Sequence, residues 1–486
     1  MLEPAWRPAG RSLAGRWPAG WRGPHRQPGP AGSTRPVGAG TEARRGLAAW
    51  PLEVFAVDDT SVQLTWRASP PAGLRLEIGD IVTEPLASSK ASLLLSLYGR
   101  VWAPNSEVYG ELATRGPRSG TAPATGARRS AGAHSCLTFL AGPRVLDRRW
   151  PAGPGTAVVE GLSPGTTYDI VASAEGVPRF LAGRVTTLLP PPGALLCKLA
   201  ALSDVHVGEK HFGVLGRLWD SLGLGPGYEP YPVRALRGAF LEAAEWGAQL
   251  YVVKGDLTRL ATAAELRDAG ALLASAPRPV EAVLGNHDNV LGVDMRSLLA
   301  SYGVNVGWWP WARDVPGARL IFANTAGGDL RHNVGRLPPA LGRRIAELAG
   351  EVATPALVFL HHPPELRPFP TVYPPGLPHS ESMALLEALS AANPSTLISC
   401  GHRHRNRRYG YGPLVIAETS STKDYPGAWA GYKIYEGGVL QTVRRTGRPD
   451  VLAWTEATRR AMNGQWGRWS PGRLGDRCFS ITWGST

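Results

Sequence analysis

Gly285-Asn286-His287-Asp288 is the short stretch of this chain that says most about its fold. It follows an apolar segment, residues 280–284, with the length and composition of a buried strand. Glycine permits close approach of the backbone at a turn, and the amide and imidazole groups that follow are able to bind a metal ion or a phosphate. A buried strand that runs into such a turn predicts a functional site at the carboxyl end of a sheet.

Four further polar signatures share this arrangement and fall in a fixed order along the chain. Each follows an apolar segment with strand character, and helical periodicity occupies the intervals between them. Because ligands gather at the carboxyl ends of strands in open α/β sheets, we expect all five signatures to converge on one rim. The four are Asp204-Val205-His206, Gly255-Asp256, His361-His362-Pro363-Pro364 and Gly401-His402-Arg403-His404.

The order and residues of these signatures resemble the calcineurin-like metallophosphoesterases over residues 195–444. The resemblance implies a layered α/β/β/α sandwich that holds two metal ions, which one shared carboxylate bridges. Oxygen and nitrogen ligands without thiolate favour Fe, Mn or Zn over Ca or Cu(I). The implied ligands are Asp204, His206, Asp256 and His404 for one metal, and Asp256, Asn286, His361 and His402 for the other.

The other polar residues of the signatures are candidates for proton transfer and substrate contact. By the resemblance, His287 faces the substrate phosphate, stabilises charge and protonates the leaving oxygen. Asp288 is a candidate to orient the His287 ring, as carboxylates near active sites often do. The family pattern favours His361 over His362 as the metal ligand. The candidates for substrate binding are His362, Arg403 and Arg405.

An all-β, immunoglobulin-like sandwich is predicted for residues 51–189. Residues 54–57 and 61–66 alternate like half-buried strands. Residues 162–168 resemble the tyrosine-corner segment of fibronectin type III domains, in which a Tyr hydroxyl bonds to nearby backbone. A Gly-, Ser- and Arg-rich stretch near 88–135 departs from that family, and we expect it to be a disordered insertion.

A sandwich joined to a phosphoesterase domain also resembles the purple acid phosphatases, whose N-terminal domain is fibronectin-like. Their charge-transfer Tyr would follow the second signature as Gly-Asp-x-x-Tyr. Arg259 stands at that position, which argues against a purple enzyme. The compact spacing of the signatures most resembles the branch that cleaves cyclic nucleotides and glycerophosphodiesters.

The remaining segments carry no recognised chemistry. Residues 1–50 are predicted to be a disordered basic extension, residues 190–194 a Pro-rich linker, and residues 445–486 a Trp-rich extension that packs against a domain. No run of eighteen or more apolar residues predicts a membrane span. The cysteines are far apart, which argues against a disulfide framework and favours the cytoplasm: Cys136, Cys197, Cys400 and Cys478.

The net charge of +13 raises the question of nucleic-acid binding. Residues 1–50 alone carry eight Arg against Glu3 and Glu42, which accounts for +6. A second cluster adjoins the last signature, and a small anionic substrate explains it as well as a polynucleotide does. Nucleic acid is therefore the less favoured partner. The cluster comprises Arg403, Arg405, Arg407 and Arg408.

The leading hypothesis is a dinuclear-metal phosphohydrolase that cleaves a small phosphodiester or phosphomonoester with metal-activated water. Two alternatives stay open. One is a nuclease, which the arginine cluster permits. The other is an inactive module in which the sandwich binds a protein partner and the phosphoesterase domain serves as a scaffold.

Overall fold

A computed structural model describes residues 52–79, 144–147, 149–213, 218–220, 229–288, 294–326 and 333–483. The predicted basic extension 1–50 and the predicted insertion near 88–135 lie outside the described residues, as does Cys136. The other three cysteines are buried and free. In the described part of the chain, no helix is long and apolar enough to cross a membrane.

Seven strands form two antiparallel sheets at the N-terminal end of the described chain. One sheet has the order β1-β2-β5 and the other the order β4-β3-β6-β7. Side chains from both sheets meet in one hydrophobic core. The strands are β1 (Leu52–Val57), β2 (Ser61–Trp66), β3 (Arg75–Gly79), β4 (Arg144–Asp147), β5 (Gly155–Glu160), β6 (Thr167–Ala174) and β7 (Val177–Thr186).

The hydroxyl of Tyr168 forms a hydrogen bond with nearby backbone, as the sequence predicts for this region. The hydroxyl accepts this bond from the backbone N–H of Ser163 at 2.8 Å. The ring is buried, so this bond fixes the corner between β5 and β6. Assignment to the fibronectin type III family stays a prediction.

Two six-stranded sheets form the body of the second domain. The first has the order β12-β11-β8-β19-β20-β21, and the second β13-β14-β15-β16-β18-β17. A short antiparallel pair, β9 (His211–Phe212) and β10 (Leu218–Trp219), stands apart. The first sheet contains β8 (Leu195–Leu202), β11 (Leu250–Lys254), β12 (Val280–Val283), β19 (Ala428–Tyr435), β20 (Gly438–Arg445) and β21 (Cys478–Thr482). The second contains β13 (Trp311–Val315), β14 (Ala318–Phe322), β15 (Ala356–Phe359), β16 (Thr396–Cys400), β17 (Arg407–Tyr411) and β18 (Leu414–Glu418).

Helices cover the outer face of each sheet, because alternate residues of a strand point to opposite sides. In β8, Leu199 and Ala201 pack into the core between the sheets, whereas Ala200 and Leu202 pack against helices. The predicted α/β/β/α sandwich is therefore confirmed. The helices are α1 (Tyr231–Glu245), α2 (Ala263–Ala274) and α3 (Met295–Ser301) on the first sheet, and α4 (Pro339–Gly350) and α5 (His379–Ala392) on the second.

The predicted domain boundary at residue 444 needs correction. Helices α6 (Pro449–Thr458), α7 (Gln465–Trp469) and α8 (Leu474–Arg477) lead into β21. That strand pairs antiparallel with β20 and so completes the first sheet. The Trp-rich segment therefore contributes a strand to the first sheet of the second domain.

Buried charges join the sandwich to the second domain. The carboxylate of Asp58 accepts hydrogen bonds from Arg444 at 2.8 Å and from the backbone N–H of Ser61 at 2.6 Å. Lys433 Nζ lies 3.2 Å from the same carboxylate. Burial alone would raise the pKa of Asp58, but Arg444 and Lys433 outweigh it and hold that pKa below its ordinary value.

We predict that Asp58→Asn lowers the free energy of unfolding at pH 7 by about 3 kcal/mol, since it breaks a buried ion pair. The pKa of Asp58 is lower in the folded protein than in the unfolded chain. The stability that its carboxylate contributes is therefore present above the unfolded pKa of about 3.9 and is lost as the pH falls through the folded pKa. Urea unfolding at pH 7 and near pH 3 measures both effects. Asp147→Asn, at a site with a 68% exposed side chain, is the control. Parallel stability–pH curves for the wild type and Asp58→Asn would contradict the prediction.

Candidate metal centre

The seven predicted metal ligands lie directly after strands of the two sheets. Asp204 and His206 follow β8, Asp256 follows β11, and Asn286 follows β12. From the second sheet, His361 comes after β15 and the pair His402 and His404 after β16. All seven side chains are largely or fully buried, and overlapping sets of them are close enough to hold a metal ion.

Asp256 stands between two sets of ligands. Its Oδ2 lies 3.3 Å from His206 Nε2, and its Oδ1 lies 3.4 Å from His361 Nε2. Two ligand atoms on a tetrahedral metal with bonds of about 2.1 Å are about 3.4 Å apart. Each oxygen of the carboxylate therefore faces a different set. Each oxygen–nitrogen distance suits two ligand atoms bound to the same cation.

The other distances complete the two sets. In the first, His404 Nε2 lies 3.5 Å from Asp204 Oδ1. In the second, His361 Nε2 lies 3.2 Å from Asn286 Oδ1 and 3.2 Å from His402 Nδ1. The groups close enough to hold a metal also include His287 and His362 and combine Asp204 with His361, so the division into these two sets stays a prediction.

Hydrogen bonds fix which nitrogen of three imidazoles faces the centre. His361 Nδ1 lies 2.7 Å from the carbonyl of Lys254, and His402 Nε2 lies 3.0 Å from the carbonyl of Pro375. His404 Nδ1 lies 2.6 Å from the carboxylate of Asp424. Since these oxygens only accept, each of these nitrogens carries a proton, and the other nitrogen of each ring faces the centre, where a metal ion would bind it.

The backbone of the ligand loops is strained. Five of the seven ligand residues have a positive φ, a region that non-glycine residues rarely occupy. Each such residue costs on the order of 1–3 kcal/mol and persists only where the surroundings determine it. The five are Asp204 (55°), His206 (55°), Asp256 (51°), His402 (71°) and His404 (49°).

Gly255 shows how tightly the loops pack. Its φ is +83°, and a Cβ added there would lie 2.6 Å from Nδ1 of His361. A side chain at this position would displace a ligand, so the glycine of the second signature is a packing requirement.

The charges of the site favour a cation. Burial alone would lower the pKa of His361, but Asp256 and Asp204 outweigh it and raise that pKa to about 9. Burial and the neighbouring Lys423 lower the pKa of His206 to about 4. His206 Nε2 makes no hydrogen bond within the described part of the chain. The donor set fits a metal ion. It consists of the buried carboxylates of Asp204 and Asp256 and of the neutral His206 imidazole, whose inner nitrogen has no hydrogen bond among the described residues.

His287 lies beside the ligands but outside both sets. Its ring is half-buried, and its centroid is 4.6 Å from that of His206. His287 Nδ1 lies 2.8 Å from the carbonyl oxygen of Arg259, which leaves Nε2 as the nitrogen that faces the centre. The residue at the expected tyrosine position thus contributes its backbone to the site.

The predicted role of Asp288 as the orienter of His287 is wrong. The carboxylate of Asp288 instead accepts from the backbone N–H groups of Leu257 (3.0 Å), Thr258 (2.8 Å) and Gly285 (2.9 Å). Asp288 therefore ties the loop after β11 to the loop after β12.

Arg403 and Arg405 both make ion pairs within the protein, and their role in substrate binding stays a prediction. Arg403 is buried and donates to Glu418 at 3.0 Å and to Glu365. Arg405 is buried as well, and its Nε donates to Glu418 at 2.8 Å. The buried Glu418 pairs with both cations and the half-buried Glu365 with Arg403, because an unpaired charge would be costly inside the protein.

His362 presents no group to the surface, and its predicted contact with substrate stays a prediction. It is fully buried, and its Nδ1 lies 2.8 Å from the hydroxyl of Thr325. Its ring centroid is 4.4 Å from that of His402. Its Nε2 makes no hydrogen bond within the described residues, and with His361 and His402 it forms a group close enough to hold a metal ion.

Three charged residues near the first set do not stand out in the sequence. Lys423 Nζ lies 2.9 Å from Glu209 and 3.3 Å from Asp424. Each of these carboxylates lies beside a ligand: Glu209 is 3.8 Å from His206 Nδ1, and Asp424 contacts His404. No ligand-like spacing marks them, and only the pairing of β19 with β8 brings residues 423 and 424 to the site.

Comparisons with protein-family models and with curated protein sequences found no match. Similar solved structures include the following three. Purple acid phosphatase PPD1 from yellow lupin (Lupinus luteus) is 11% identical, with 81% of this chain and 72% of that chain covered and a TM-score of 0.36. PhoD is 10% identical, with 80% and 85% covered and a TM-score of 0.34. GAP50, the anchor in the inner membrane complex of Plasmodium, is 13% identical, with 53% and 87% covered and a TM-score of 0.35.

The two layered sheets bring their strand ends together at a cluster of carboxylates and imidazoles. This agrees with the fold class predicted from the five signatures.

We predict that Asp256→Asn weakens binding of both metals by more than about 100-fold, beyond the usual range for residues outside the ligand sphere. The change removes the anion that both sets share, while an amide of the same shape remains. Metal analysis after dialysis against a weak chelator measures it. Asp268→Asn, an exposed position in α2, is the control. Retention of two metals by Asp256→Asn would show that Asp256 does not bridge.

Proposed function

We propose that this protein is a dinuclear-metal phosphohydrolase that cleaves a phosphodiester or phosphomonoester. One observation carries the proposal: the two oxygens of Asp256 face different ligand sets at 3.3 and 3.4 Å. Oxygen and nitrogen donors without a thiolate suit Fe, Mn or Zn.

The bound metals would lower the pKa of a water molecule and stabilise negative charge at phosphorus. The chain itself supplies the general acid. With Nδ1 of His287 donating to the Arg259 carbonyl, a second proton at Nε2 is available to the leaving oxygen. Because His287 is half-buried whereas six of the seven predicted ligands are buried, it sits where a substrate would enter.

Small phosphate esters fit the site better than nucleic acid. Two of the four arginines beside the last signature, Arg403 and Arg405, are paired inside the protein, which weakens the case for a nuclease. The inward-facing nitrogens of three imidazoles argue against an inactive scaffold. Cyclic nucleotides and glycerophosphodiesters are the narrower candidates, on the spacing of the signatures. The cytoplasm and a protein partner for the sandwich stay predictions.

A substrate panel tests the proposal. The protein loaded with Mn²⁺, Zn²⁺ or Fe²⁺ would be assayed with bis-p-nitrophenyl phosphate, p-nitrophenyl phosphate, cyclic AMP and single-stranded DNA. We expect metal-dependent release of p-nitrophenol, which Asp256→Asn abolishes. Cleavage of DNA alone would favour the nuclease, and metal binding without any cleavage would favour the scaffold.

We predict that His287→Ala keeps both metals but slows turnover by about 10²–10⁴-fold, the range for general acid–base catalysis. The slowing should shrink for p-nitrophenolate, which needs little protonation to leave, and persist for an alkoxide leaving group. Steady-state kinetics on the two substrates and metal analysis measure it. His379→Ala is a matched control, since His379 Nδ1 also contacts a backbone carbonyl, that of Glu365 at 3.1 Å.

Two outcomes would assign His287 another role. Loss of metal from His287→Ala would make the residue a ligand. Equal slowing on both leaving groups would make it a charge stabiliser rather than an acid.

A further inference from the structure

The C-terminal helices bring a tryptophan to the edge of the first ligand set. Trp466, in α7, has its ring centroid 6.0 Å from that of His404. On its other side it packs against Phe212 at 5.7 Å, in a cluster that includes Tyr231 and Trp454. Trp466 therefore lies between an apolar cluster and the candidate metal centre.

A chain of two hydrogen bonds connects Trp466 to the ligand. The indole Nε1–H donates to Asp424 Oδ1 at 3.2 Å, and Asp424 Oδ2 accepts from His404 Nδ1 at 2.6 Å. The direction is fixed, because an indole nitrogen only donates and a carboxylate only accepts. Each oxygen of Asp424 thus has its own donor.

The two hydrogen bonds hold the carboxylate of Asp424 in one orientation. Asp424 is fully buried, so an oxygen that lost its donor would find no bulk water to replace it. Lys423 Nζ lies 3.3 Å from Oδ2, the oxygen that His404 already uses, and does not replace the indole at Oδ1. The orientation of a metal-binding histidine depends on the carboxylate behind it.

We propose that Trp466 is a positioning residue of the metal centre: acting through Asp424, it holds the His404 imidazole with Nε2 toward the first ligand set. The inference rests on the proposed metal-dependent function. It has a consequence by linkage, because two events that stabilise the same arrangement must favour each other. Metal binding should tighten the docking of residues 449–469, and that docking should tighten metal binding.

Trp454 offers a matched comparison. It belongs to the same cluster and stacks on Tyr231 with centroids 4.1 Å apart. Its indole N–H donates to the backbone carbonyl of Lys423 at 2.7 Å and not to a carboxylate. Trp454→Phe therefore removes an indole donor from the same cluster without changing the hydrogen bonds of Asp424.

The test measures Zn²⁺ affinity by chelator competition for the wild type, Trp466→Phe, Trp454→Phe, Asp424→Asn and the double variant Trp466→Phe/Asp424→Asn. We expect Trp466→Phe to weaken binding by about 10-fold, the lower end of the range for residues behind a ligand. We expect Trp454→Phe to bind as the wild type does. The double variant should bind no more weakly than Asp424→Asn, since both changes break the same chain.

Wild-type affinity in Trp466→Phe, or additive losses in the double variant, would overturn the inference while leaving the proposed function in place. Hydrogen exchange of wild-type residues 449–469 with and without Zn²⁺ decides the matter if Trp466→Phe does not fold. Slower exchange with the metal supports the coupling, and unchanged exchange overturns it. A wild-type chain that binds no metal would overturn the proposed function and this inference together.

Discussion

The structure depends on one constraint. The carboxylate of Asp256 must lie between two groups of imidazole and oxygen side chains. Asp256 can face both groups only if the loops after β8 and β11 lie close together, and hydrogen bonds between them maintain that approach: the N–H of His206 donates to the carbonyl of Asp256 at 2.8 Å. The positive φ of both residues is the conformational cost. The glycine beside Asp256, the tautomers of the histidines and the elevated pKa of His361 all follow from this crowding.

The sequence predicted the sheet architecture and the clustering of polar side chains at the strand ends, because both leave local marks. Apolar strands alternate with helical segments, and each polar signature directly follows a strand, so the strand ends locate the side chains. Asp256 and His404 fall where the signatures place them. The last strand, β21, was missed as part of the domain because a strand-like segment does not reveal which sheet it joins. Asp424 was missed for a related reason. It is 20 residues from His404 in the sequence, and only the fold brings the two side chains into contact.

Sequence shows charge but not the partner of a charge, and this limited what could be predicted for three charged residues. Arg403 and Arg405 stand beside the ligands and would suit an anion, yet the side chain of Glu418, at the end of β18, contacts both. Asp288 follows His287 directly, yet its carboxylate serves three backbone N–H groups. In each case a buried group was satisfied by a residue from another strand or loop, and the cost of leaving it unsatisfied decided the outcome.

The long span of the strand pairing in the first sheet has a consequence for the order of assembly. Strand β8 pairs with β19, and Asp204 accepts a hydrogen bond from the backbone of His402, 198 residues further along the chain. Such distant contacts form late and slowly in folding. A chain that is still incomplete therefore holds only fragments of each ligand set, none of them able to compete for metal as the finished centre does. Acquisition of metal would mark the end of folding rather than begin it.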